Sequence, residues 1–396
     1  MTRLFLLEPD RPGAAWAPFA GVRPIAELRA GAWRIRERWE AACDTEAAAI
    51  LGDHVDGFHE GDEAPVRPVE TIEGPAVVAA SWFAPTGDRI PGLGDLTSPA
   101  GVRRLQHDGT TVGWLVPAGQ RWQGPGERGE ATEIDGLLLR GSFDLVTALE
   151  QFLAEDCADF RAAPAGGIPE GSIVLGDPAN VVVMGAVVEP GVVFDVRQGA
   201  VVLGPGVEVR HGTRLEGPVY AGTGCKLLGG LIRGSAFGPE CRVRGEVAAS
   251  VFLGYANKSH DGFIGHSVVG CWVNLGALTT TSNLKNTYGP VRLDVPGERI
   301  ETGRQNLGTL FGDHAKTAIG TMLATGTVVS AGANLFGTTM PPKYVPPFAW
   351  GGDGAERLTC EGFLRVAERV MTRRDVTLTP ERRRSLERTF ARGTGG

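Results

Sequence analysis

The chain has 396 residues and a formal net charge of −7, from 39 basic and 46 acidic residues. This length predicts two or three domains, and the negative charge gives no basis for nucleic-acid binding. The six cysteines form no CxxC pair and no zinc-like spacing, which is typical of reduced thiols. The opening MTRLFLLEPDRPG has an apolar run that is too short for a signal peptide. No apolar stretch of the sequence is long enough to span a bilayer. We therefore expect a soluble cytoplasmic protein with no nucleic-acid or membrane partner.

Residues 1–163 predict a mixed α/β domain, because strand patterns alternate with helical ones. Ser142 is the expected N-cap of the second helix. The predicted strands are 4–8, 47–52 and 74–81, and the predicted helices are 26–42 and 142–160. This alternation favours a parallel or mixed sheet. The segment RAAPAGG, 161–167, predicts the end of the domain.

The chain has 58 glycines, about twice the usual share. Most of this excess lies in residues 164–352. Aliphatic residues recur near every sixth position in this region, with small residues between them. The examples are Leu203, Val209 and Leu215, then Ile264, Val269 and Leu275, and the pattern resumes over 319–337. A period near six is typical of a parallel β-helix, whose corners favour glycine. A Gly-rich β-sandwich is the alternative, but the register recovers after an interruption, which favours the β-helix.

Residues 353–396 predict two helices, over 355–374 and 378–392. Thr379 and Pro380 form a suitable N-cap and first-turn pair for the second helix. Its arginines could meet phosphate or a coenzyme A tail, although a solvated helix face packed on the domain is the favoured interpretation.

The stretch TTTSNLKNTYGPVRLD, 279–294, interrupts the glycine-punctuated repeat with polar side chains. A flat β-helix wall cannot enclose a small molecule, so we expect the interruption to supply substrate contacts, among them Lys285, Tyr288 and Arg292. Just before it, ANKSHDGFIGH, 256–266, groups Lys258 with His260 at a predicted corner.

A histidine at such a polar corner can serve as a general base, which makes His260 the first candidate. His266 and His314 are more simply read as structural. Asn283 either forms a turn or, if it lies beside His260, orients a sugar amide or hydroxyl.

Four blocks carry a resemblance to a known family: RPIAELRAGAWRIRERWE (23–40), the segment 250–293, the segment 302–337 and PPKYVPPFAWGG (341–352). The chain resembles the bifunctional family that joins a sugar-1-phosphate nucleotidyltransferase-like domain to a left-handed β-helix acyltransferase domain. More narrowly, it is similar to a branch of sugar nucleotidyltransferases. The resemblance implies an α/β nucleotidyltransferase-like domain over 1–163, a left-handed parallel β-helix of hexapeptide repeats over 164–352, and a helical tail over 353–396.

The resemblance also implies an acyltransferase site. His260 falls on the family's base in KAGHLTYLG, and Asn283 falls on the asparagine of GTITCNYDG. Phe263 stands where the family has a tyrosine, so a phosphate-contacting hydroxyl is lost. Thr321 and Gly337 match the coils that contact acetyl-CoA, which is the implied co-substrate. Because that cofactor lies along a seam between subunits in the family, a homotrimer is implied.

The first domain departs from the family pattern. Segment 6–28 lacks the GxGTRM loop that cradles the nucleotide phosphates, and Arg23-Pro24 replaces the usual Lys-Pro. Arg23, Arg29 and Arg36 remain available for a sugar phosphate or a nucleotide, which the resemblance implies as substrates. Ser81 stands where the family has a magnesium-binding aspartate, which weakens the implied Mg²⁺ site. Asp53 or Asp135 would have to substitute.

Three functions compete. The first is a transferase that N-acetylates an amino-sugar phosphate at the β-helix, with or without nucleotidyl transfer in the first domain. The second is a non-catalytic sugar-nucleotide sensor or scaffold, which fits the missing loop. The third is a β-helix zinc carbonic anhydrase with His260, His266 and His314 as ligands across a subunit seam.

Overall fold

The structure is a computed structural model that describes residues 2–87, 89–97, 101–163, 166–337, 340–352 and 356–395. Among these residues, every helix is too short or too polar to cross a membrane. The predicted domain boundaries at 163/164 and 352/353 adjoin or lie outside the described residues, and they stay predictions.

The amino-terminal region is built on a seven-stranded mixed sheet with the order β12-β9-β10-β7-β1-β4-β5. Strands β1, β4, β5 and β7 run parallel, whereas β10 runs antiparallel to β7 and β9. Strands β1, β4 and β7 are mostly buried on both faces, as their aliphatic sequences predict, whereas β5 at the edge is not. The strands are β1 Arg3–Leu7, β2 Arg29–Ala30, β3 Trp33–Arg34, β4 Ala47–Leu51, β5 Val66–Arg67, β6 Ile72–Glu73, β7 Ala76–Ala80, β8 Phe83–Pro85, β9 Arg103–His107, β10 Thr110–Val116, β11 Arg121–Trp122, β12 Ala131–Glu133 and β13 Gly136–Leu138.

Helix α1, Ile35–Cys43, packs against this sheet. Helix α2, Asp144–Asp159, packs mainly against the later strands over 213–221 and 230–237. The predicted helix 26–42 was wrong in its first part, because the hairpin β2–β3 turns there at Gly31, whose φ is +74°. A side chain at Gly31 would lie 2.2 Å from the carboxylate of Asp156, so only glycine fits.

The predicted N-cap of α2 was also wrong. The cap position is Phe143, and the hydroxyl of Ser142 donates to the carbonyls of Ala15 and Ala17 instead. Six short 3-10 helices complete the irregular segments: Ala14–Trp16, Ile25–Glu27, Asp53–Val55, Leu93–Thr97, Phe160–Ala162 and Pro178–Asn180.

From residue 173 the chain winds into a coil of short strands that pair in parallel with the turn above and below. The strands are β14 Ile173–Leu175, β15 Val181–Val183, β16 Val187–Val188, β17 Val193–Asp195, β18 Val201–Leu203, β19 Glu208–Val209, β20 Thr213–Ala221, β21 Lys226–Leu227, β22 Gly230–Phe237, β23 Arg242–Val243, β24 Glu246–Ala248, β25 Val251–Phe252, β26 Asn257–Lys258, β27 Phe263–Gly265, β28 Val268–Val269, β29 Asn274–Leu275, β30 Thr280–Thr281, β31 Arg292–Val295, β32 Glu298–Glu301, β33 Leu310–Phe311, β34 Lys316–Thr317, β35 Met322–Leu323, β36 Val328–Val329, β37 Asn334–Leu335, β38 Tyr344–Val345, β39 Ala349–Trp350 and β40 Glu356–Arg357.

The coil has a dry core of stacked aliphatic and phenylalanine side chains. Every residue from which the period was read is at most 1% exposed. The expected fold class is confirmed: an α/β region, a left-handed parallel β-helix and a short helical tail.

The interruption begins later than predicted. Thr280 and Thr281 still pair with the next turn, and the amide of Ser282 donates to Leu323 O. The excursion therefore occupies 283–306 and forms the antiparallel hairpin β31–β32, whose apolar side chains are buried. Its end is held against α2, because Arg304 donates to Thr147 Oγ1 at 2.7 Å and pairs with Glu150 at 2.6 Å.

The tail forms helices α3, Cys360–Thr372, and α4, Pro380–Thr394. Thr379 caps α4 as predicted, since its hydroxyl accepts from the amide of Arg382. The arginines of α4 contact the amino-terminal region: Arg388 pairs with Asp56 at 2.7 Å, and Arg392 donates to the carbonyl of Gly21 at 3.0 Å. The tail thereby bridges the α/β region and the β-helix.

Candidate active site on the flank of the β-helix

Successive turns of the β-helix stack their corners, and one corner carries His260. We call it the leading corner: it consists of residues 259–262, 276–279, 318–321 and 336–337, and in the first three turns it precedes β27, β30 and β35. The stacking is direct, because the amide of Leu278 donates to Asp261 O at 2.8 Å and the amide of Gly320 donates to Ala277 O at 2.8 Å. His260 is exposed at the first of these corners.

A groove of about 270 Å³ opens along the same corner two turns further on. Thr321 and Gly337, the two residues predicted to contact a cofactor, both line it. The remaining walls are largely apolar and include Met322, Phe336 and Met340. At about 4.8 Å per turn, Thr321 lies roughly 10 Å along the coil from His260. The groove thus joins residues from two turns of the coil, and it shares its corner with the predicted base.

The face of the coil that contains β27 and β30 runs from the leading corner to a second corner. That second corner carries His266 and Asn283, one directly above the other. The amide nitrogen of Asn283 lies 2.7 Å from Nδ1 of His266. Each residue comes just past the end of its strand region, and the two are separated by 17 positions, which is one turn of the coil here. Gly265 leaves room for the pair, since a Cβ at that position would meet the Asn283 amide at 3.0 Å and crowd the ring of Phe263.

The structure therefore brings Asn283 to His266 and not to His260. The cause is geometric: β27 separates the two corners of the face, and its three residues span about 10 Å. The expectation that Asn283 lies beside His260 is corrected to a pair of polar sites at opposite ends of one face.

His266 was treated as structural from sequence, yet it holds a polar position. Its pKa is lowered by burial first, with Glu150 raising the pKa and the cations Arg304 and Arg233 lowering it. The imidazole is therefore neutral near pH 7. With the Asn283 amide donating to Nδ1, the proton of the neutral ring resides on Nε2, which is then a hydrogen-bond donor. The 17-residue turn length is the signal that could have paired the two residues from sequence.

Lys258, predicted to bind substrate, has its ammonium group inside the coil. Its Nζ donates to the carbonyls of Arg244 at 2.6 Å, of His260 at 3.1 Å and of Gly262 at 2.9 Å. Burial lowers its pKa to about 8. All three donors of the ammonium are used within the chain, which favours a structural role at the leading corner.

The other predicted substrate contacts lie on the excursion. Lys285 donates to the carbonyl of Pro290, and Arg292 pairs with Glu301 at 2.7 Å. Tyr288 is 68% exposed. Of these three, Tyr288 has the side chain that is most open to solvent, and the substrate-binding assignments stay predictions.

Arg23 joins the amino-terminal region to the β-helix. Its guanidinium pairs with Asp313 at 2.9 Å and with Glu60 at 2.7 Å, and it is almost fully buried. Arg29, also buried, donates to the carbonyl of Ala32 and lies over the ring of Tyr220 at 5.8 Å. Both predicted phosphate ligands therefore have partners within the chain, and their role in substrate binding stays a prediction.

The carboxyl ends of β1, β4 and β7 mark where a nucleotide would bind in an open α/β sheet. Here Glu8 follows β1, and its carboxylate accepts from the amides of Ile25 at 2.8 Å and Ala26 at 3.0 Å. Ser81 follows β7 with its hydroxyl buried and without a hydrogen-bond partner among the described residues. The two hydrogen bonds to Glu8 fix residues 25 and 26 over the carboxyl ends of the strands.

The same region has few ligands for a divalent cation. Asp53 and Asp135 are both exposed, and within the described ranges no three His, Cys, Asp or Glu side chains cluster closely enough to hold a metal ion. Because Glu8 already accepts two backbone amides, the donor set does not fit the Mg²⁺ that the resemblance implies.

Comparisons with known proteins match parts of the chain. Residues 5–162 match the family described as sugar nucleotidyl transferase. Over 91 residues the chain is 34% identical to a bifunctional sugar-1-phosphate nucleotidylyltransferase/acetyltransferase of Sulfurisphaera tokodaii, covering 23% of each chain. Over 74 residues it is 35% identical to the bifunctional protein GlmU of Methanocaldococcus jannaschii, covering 19% of this chain and 18% of that one.

A third relative is the bifunctional protein GlmU of Methanococcus vannielii, which is 32% identical over 89 residues, 22% of this chain and 21% of the relative. The chain thus aligns with about a fifth of the length of the curated relatives that it matches. The resemblance to the bifunctional nucleotidyltransferase/acetyltransferases is confirmed, and residues 5–162 are similar to the sugar nucleotidyl transferase family.

Proposed function

We propose that the chain is a transferase of nucleotide-sugar biosynthesis whose β-helix catalyses acetyl-CoA-dependent N-acetylation of an amino-sugar phosphate. One observation carries the proposal: the predicted base His260 and the groove of Thr321 and Gly337 share the leading corner of the coil. The largely apolar groove suits the pantetheine arm of acetyl-CoA. Its position supports delivery of the thioester towards His260 along a straight corner.

The proposed step is aminolysis of a thioester. The sugar amine attacks the acyl carbon while His260 accepts the amine proton, so that the C–N bond forms as the C–S bond breaks. The proton then passes to the departing thiolate, which leaves as free coenzyme A. Holding both substrates on one rigid wall converts a bimolecular reaction into an effectively unimolecular one.

The pair of His266 and Asn283 is proposed to hold the far end of the sugar. The face between the two corners is about 10 Å long, which suits a single phosphorylated sugar. Nε2–H of His266 would donate to a sugar or phosphate oxygen, and Arg304 and Arg233, whose charges act on His266, would favour a negative group there.

The proposed assembly is a homotrimer, in which copies meet along the leading corner. Leu278, Ile319 and Met322 are between 58% and 78% exposed on this corner or on the strand that it opens. Such a run of apolar side chains is typical of an interaction surface. Sugar phosphate, nucleotide and acetyl-CoA are the proposed small-molecule partners.

A second candidate function is sugar-nucleotide binding without turnover, and it concerns the amino-terminal region. It is favoured by the Glu8 carboxylate, which accepts two backbone amides at the strand ends where a nucleotidyltransferase needs metal ligands. A pyrophosphate-release assay with UTP and dTTP separates the two: release supports nucleotidyl transfer, whereas nucleotide binding without release supports the second candidate.

The acetyltransferase is tested with purified protein, acetyl-CoA and glucosamine-1-phosphate, with free coenzyme A followed by a thiol reagent. We expect thiol release that His260→Ala reduces by at least about 10²-fold in kcat, the usual worth of a general base. His266→Gln should raise KM for the sugar more than it lowers kcat, because it removes a binding donor.

The matched control is His211→Ala, which removes another exposed histidine from an earlier turn of the coil. It should leave the rate unchanged. Thiol release that persists in His260→Ala would rule out this base, and no release with any amino-sugar phosphate would refute acetyl transfer.

A further inference from the structure

A second groove lies on the ten-stranded face of the β-helix, whose strands β26, β29 and β34 run into the leading corner. It has a volume of about 240 Å³ and runs between the strands of this face and the end of α3. Its charged lining consists only of cations, which are Arg242, Lys316, Arg373 and Arg374. The groove's other polar residues include Asn257 and Asn274.

The strand register fixes the order of the side chains on the groove floor. Arg242 pairs with Asn257, Asn257 with Asn274, and Asn274 with Lys316. These four side chains therefore form one outward column. At about 4.8 Å per turn, Arg242 and Lys316 stand roughly 14 Å apart with two amides between them. The amides are linked, since Asn257 Nδ2 donates to Asn274 Oδ1 at 2.8 Å.

Among the residues that the structure describes, these four cations form no ion pair, whereas Lys226 on the same column does. One turn before Arg242, Lys226 pairs with Glu208 at 2.7 Å. In the described part of the chain, Nε of Arg242 and Nε of Arg374 are buried with no hydrogen-bond partner. The Lys316 ammonium donates to a single carbonyl, that of His314 at 2.9 Å, although it carries three donors.

The positive charge of the groove is only partly compensated by nearby acidic side chains. Burial lowers the pKa of Lys316 to about 8. Burial also lowers the pKa of Arg374, and Arg242 lowers it further, while Glu240 partly offsets these effects. Concentrating like charges beside buried nitrogen donors costs stability unless an anion binds there.

We propose that this groove is a binding site for a diphosphate group of a small phosphorylated molecule. The column supplies a cation at each end and amide groups between them, and Arg373 and Arg374 cover the groove from the end of α3. Guanidinium groups bind phosphate oxygens in pairs, so two arginines with free Nε groups suit this ligand. The aromatic pair Tyr255 and Trp272, with ring centroids 4.2 Å apart, closes one side.

The site does not depend on the proposed acyl transfer, because it shares no residue with the leading corner. Nucleotide sugars and coenzyme A both contain a diphosphate. The residues on the floor of the groove could bind this group from either molecule. The test therefore begins with pyrophosphate, which contains only the shared group.

Isothermal titration of the full chain with pyrophosphate is expected to show one saturable site with a Kd below about 1 mM. Lys316→Gln and Arg242→Gln should each weaken binding at least tenfold, since each removes a charged donor. Lys226→Gln is the matched control, because it removes a cation from the same column whose charge is already neutralised by Glu208. It should bind pyrophosphate like the unmodified chain.

Thermal melting monitors the fold of each variant. Without ligand, Lys316→Gln should melt at the same temperature as the unmodified chain or higher, because a poorly compensated cation is removed. With pyrophosphate, only the unmodified chain and Lys226→Gln should gain stability. Competition by UDP and by coenzyme A then identifies the source of the diphosphate. Absence of saturable binding, or equal weakening by Lys226→Gln, would overturn the proposal.

Discussion

At the scale of single residues, the polar groups of the β-helix serve two different purposes. His266 and Asn283 bond to each other across one turn, at the edge of a face that a substrate can reach. Lys258 donates to three carbonyls, those of His260 and Gly262 at the leading corner and that of Arg244 in the preceding turn. Sequence proximity groups Lys258 with His260, but the coil directs the lysine to the backbone and the histidine to solvent.

Lys258→Met is expected to lower the free energy of unfolding by about 2–4 kcal/mol at pH 7, because three partly buried carbonyls lose their donor. Urea denaturation followed by tryptophan fluorescence measures this. Lys343→Met is the control, since the Lys343 ammonium lies 4.0 Å from the carboxylate of Asp294, at the outer limit of an ion pair. An unchanged stability together with a raised KM for the sugar would instead assign Lys258 to substrate binding.

The same variant carries a pH signature. The folded pKa of Lys258 is about 8, below its ordinary value of 10.5. The unfolded chain therefore binds more protons between these values, and the cost of burying the charge, fully present below pH 8, disappears as the pH rises to 10.5. The stability of the unmodified chain relative to Lys258→Met should thus increase over this window. A constant difference would contradict a buried ammonium.

At the scale of elements, the excursion 283–306 is a small folded unit with its own buried side chains. The hairpin β31–β32 buries Leu293 and Ile300, and Arg304 fastens its end to α2. Since Arg304 is 13% exposed in its side chain, its bond to Glu150 is better shielded than a surface ion pair. The excursion is thus positioned by the amino-terminal region as much as by the coil.

Arg304→Met should loosen the hairpin without unfolding the coil. We expect limited proteolysis to cut near Gly297, in the hairpin turn, several-fold faster than in the unmodified chain. The control is Arg299→Met, which removes only an exposed pair with Asp294 within the hairpin. Equal cleavage rates in the two variants would show that the contact with α2 does not hold the excursion.

The elements also show what the sequence could predict. The six-residue period identified the β-helix because inward side chains must repeat with each strand, and every residue used for it is buried. The predicted helix 26–42 failed in its first part, because Gly31 supports a hairpin turn within an otherwise helical pattern. Local patterns report periodicity, but they do not report a turn that a distant side chain, here Asp156, requires.

At the scale of the whole molecule, three regions meet around a buried ion pair. Arg23 comes from the amino-terminal region and Asp313 from the β-helix, and the carboxylate of Asp313 also accepts from the amide of Cys271 at 2.8 Å. Glu60 completes the cluster, and α4 reaches the same region through Arg388 and Arg392. No sequence pattern predicts such a pair, because its members have no fixed spacing.

Asp313→Ala should therefore be strongly destabilising. The variant leaves the buried Arg23 with the more exposed Glu60 and leaves the amide of Cys271 without its acceptor, and breaking such a buried pair costs about 3–5 kcal/mol. Urea denaturation should show a lower midpoint, and the amino-terminal region should become more sensitive to protease. Glu301→Ala, which removes an exposed pair with Arg292, is the control and should change the midpoint little. A similar effect of both variants would show that Arg23 and Asp313 do not hold the regions together.

The separation of Arg23 and Asp313 along the chain is 290 residues. At a synthesis rate of about 5–20 residues per second, the aspartate leaves the ribosome roughly 15–60 s after the arginine. During that interval the Arg23 guanidinium of the nascent amino-terminal region cannot pair with Asp313. The amino-terminal sheet can therefore dock on the β-helix only after most of the chain has been translated. Codon usage along residues 164–313 and the supply of chaperones should thus influence the yield of native protein.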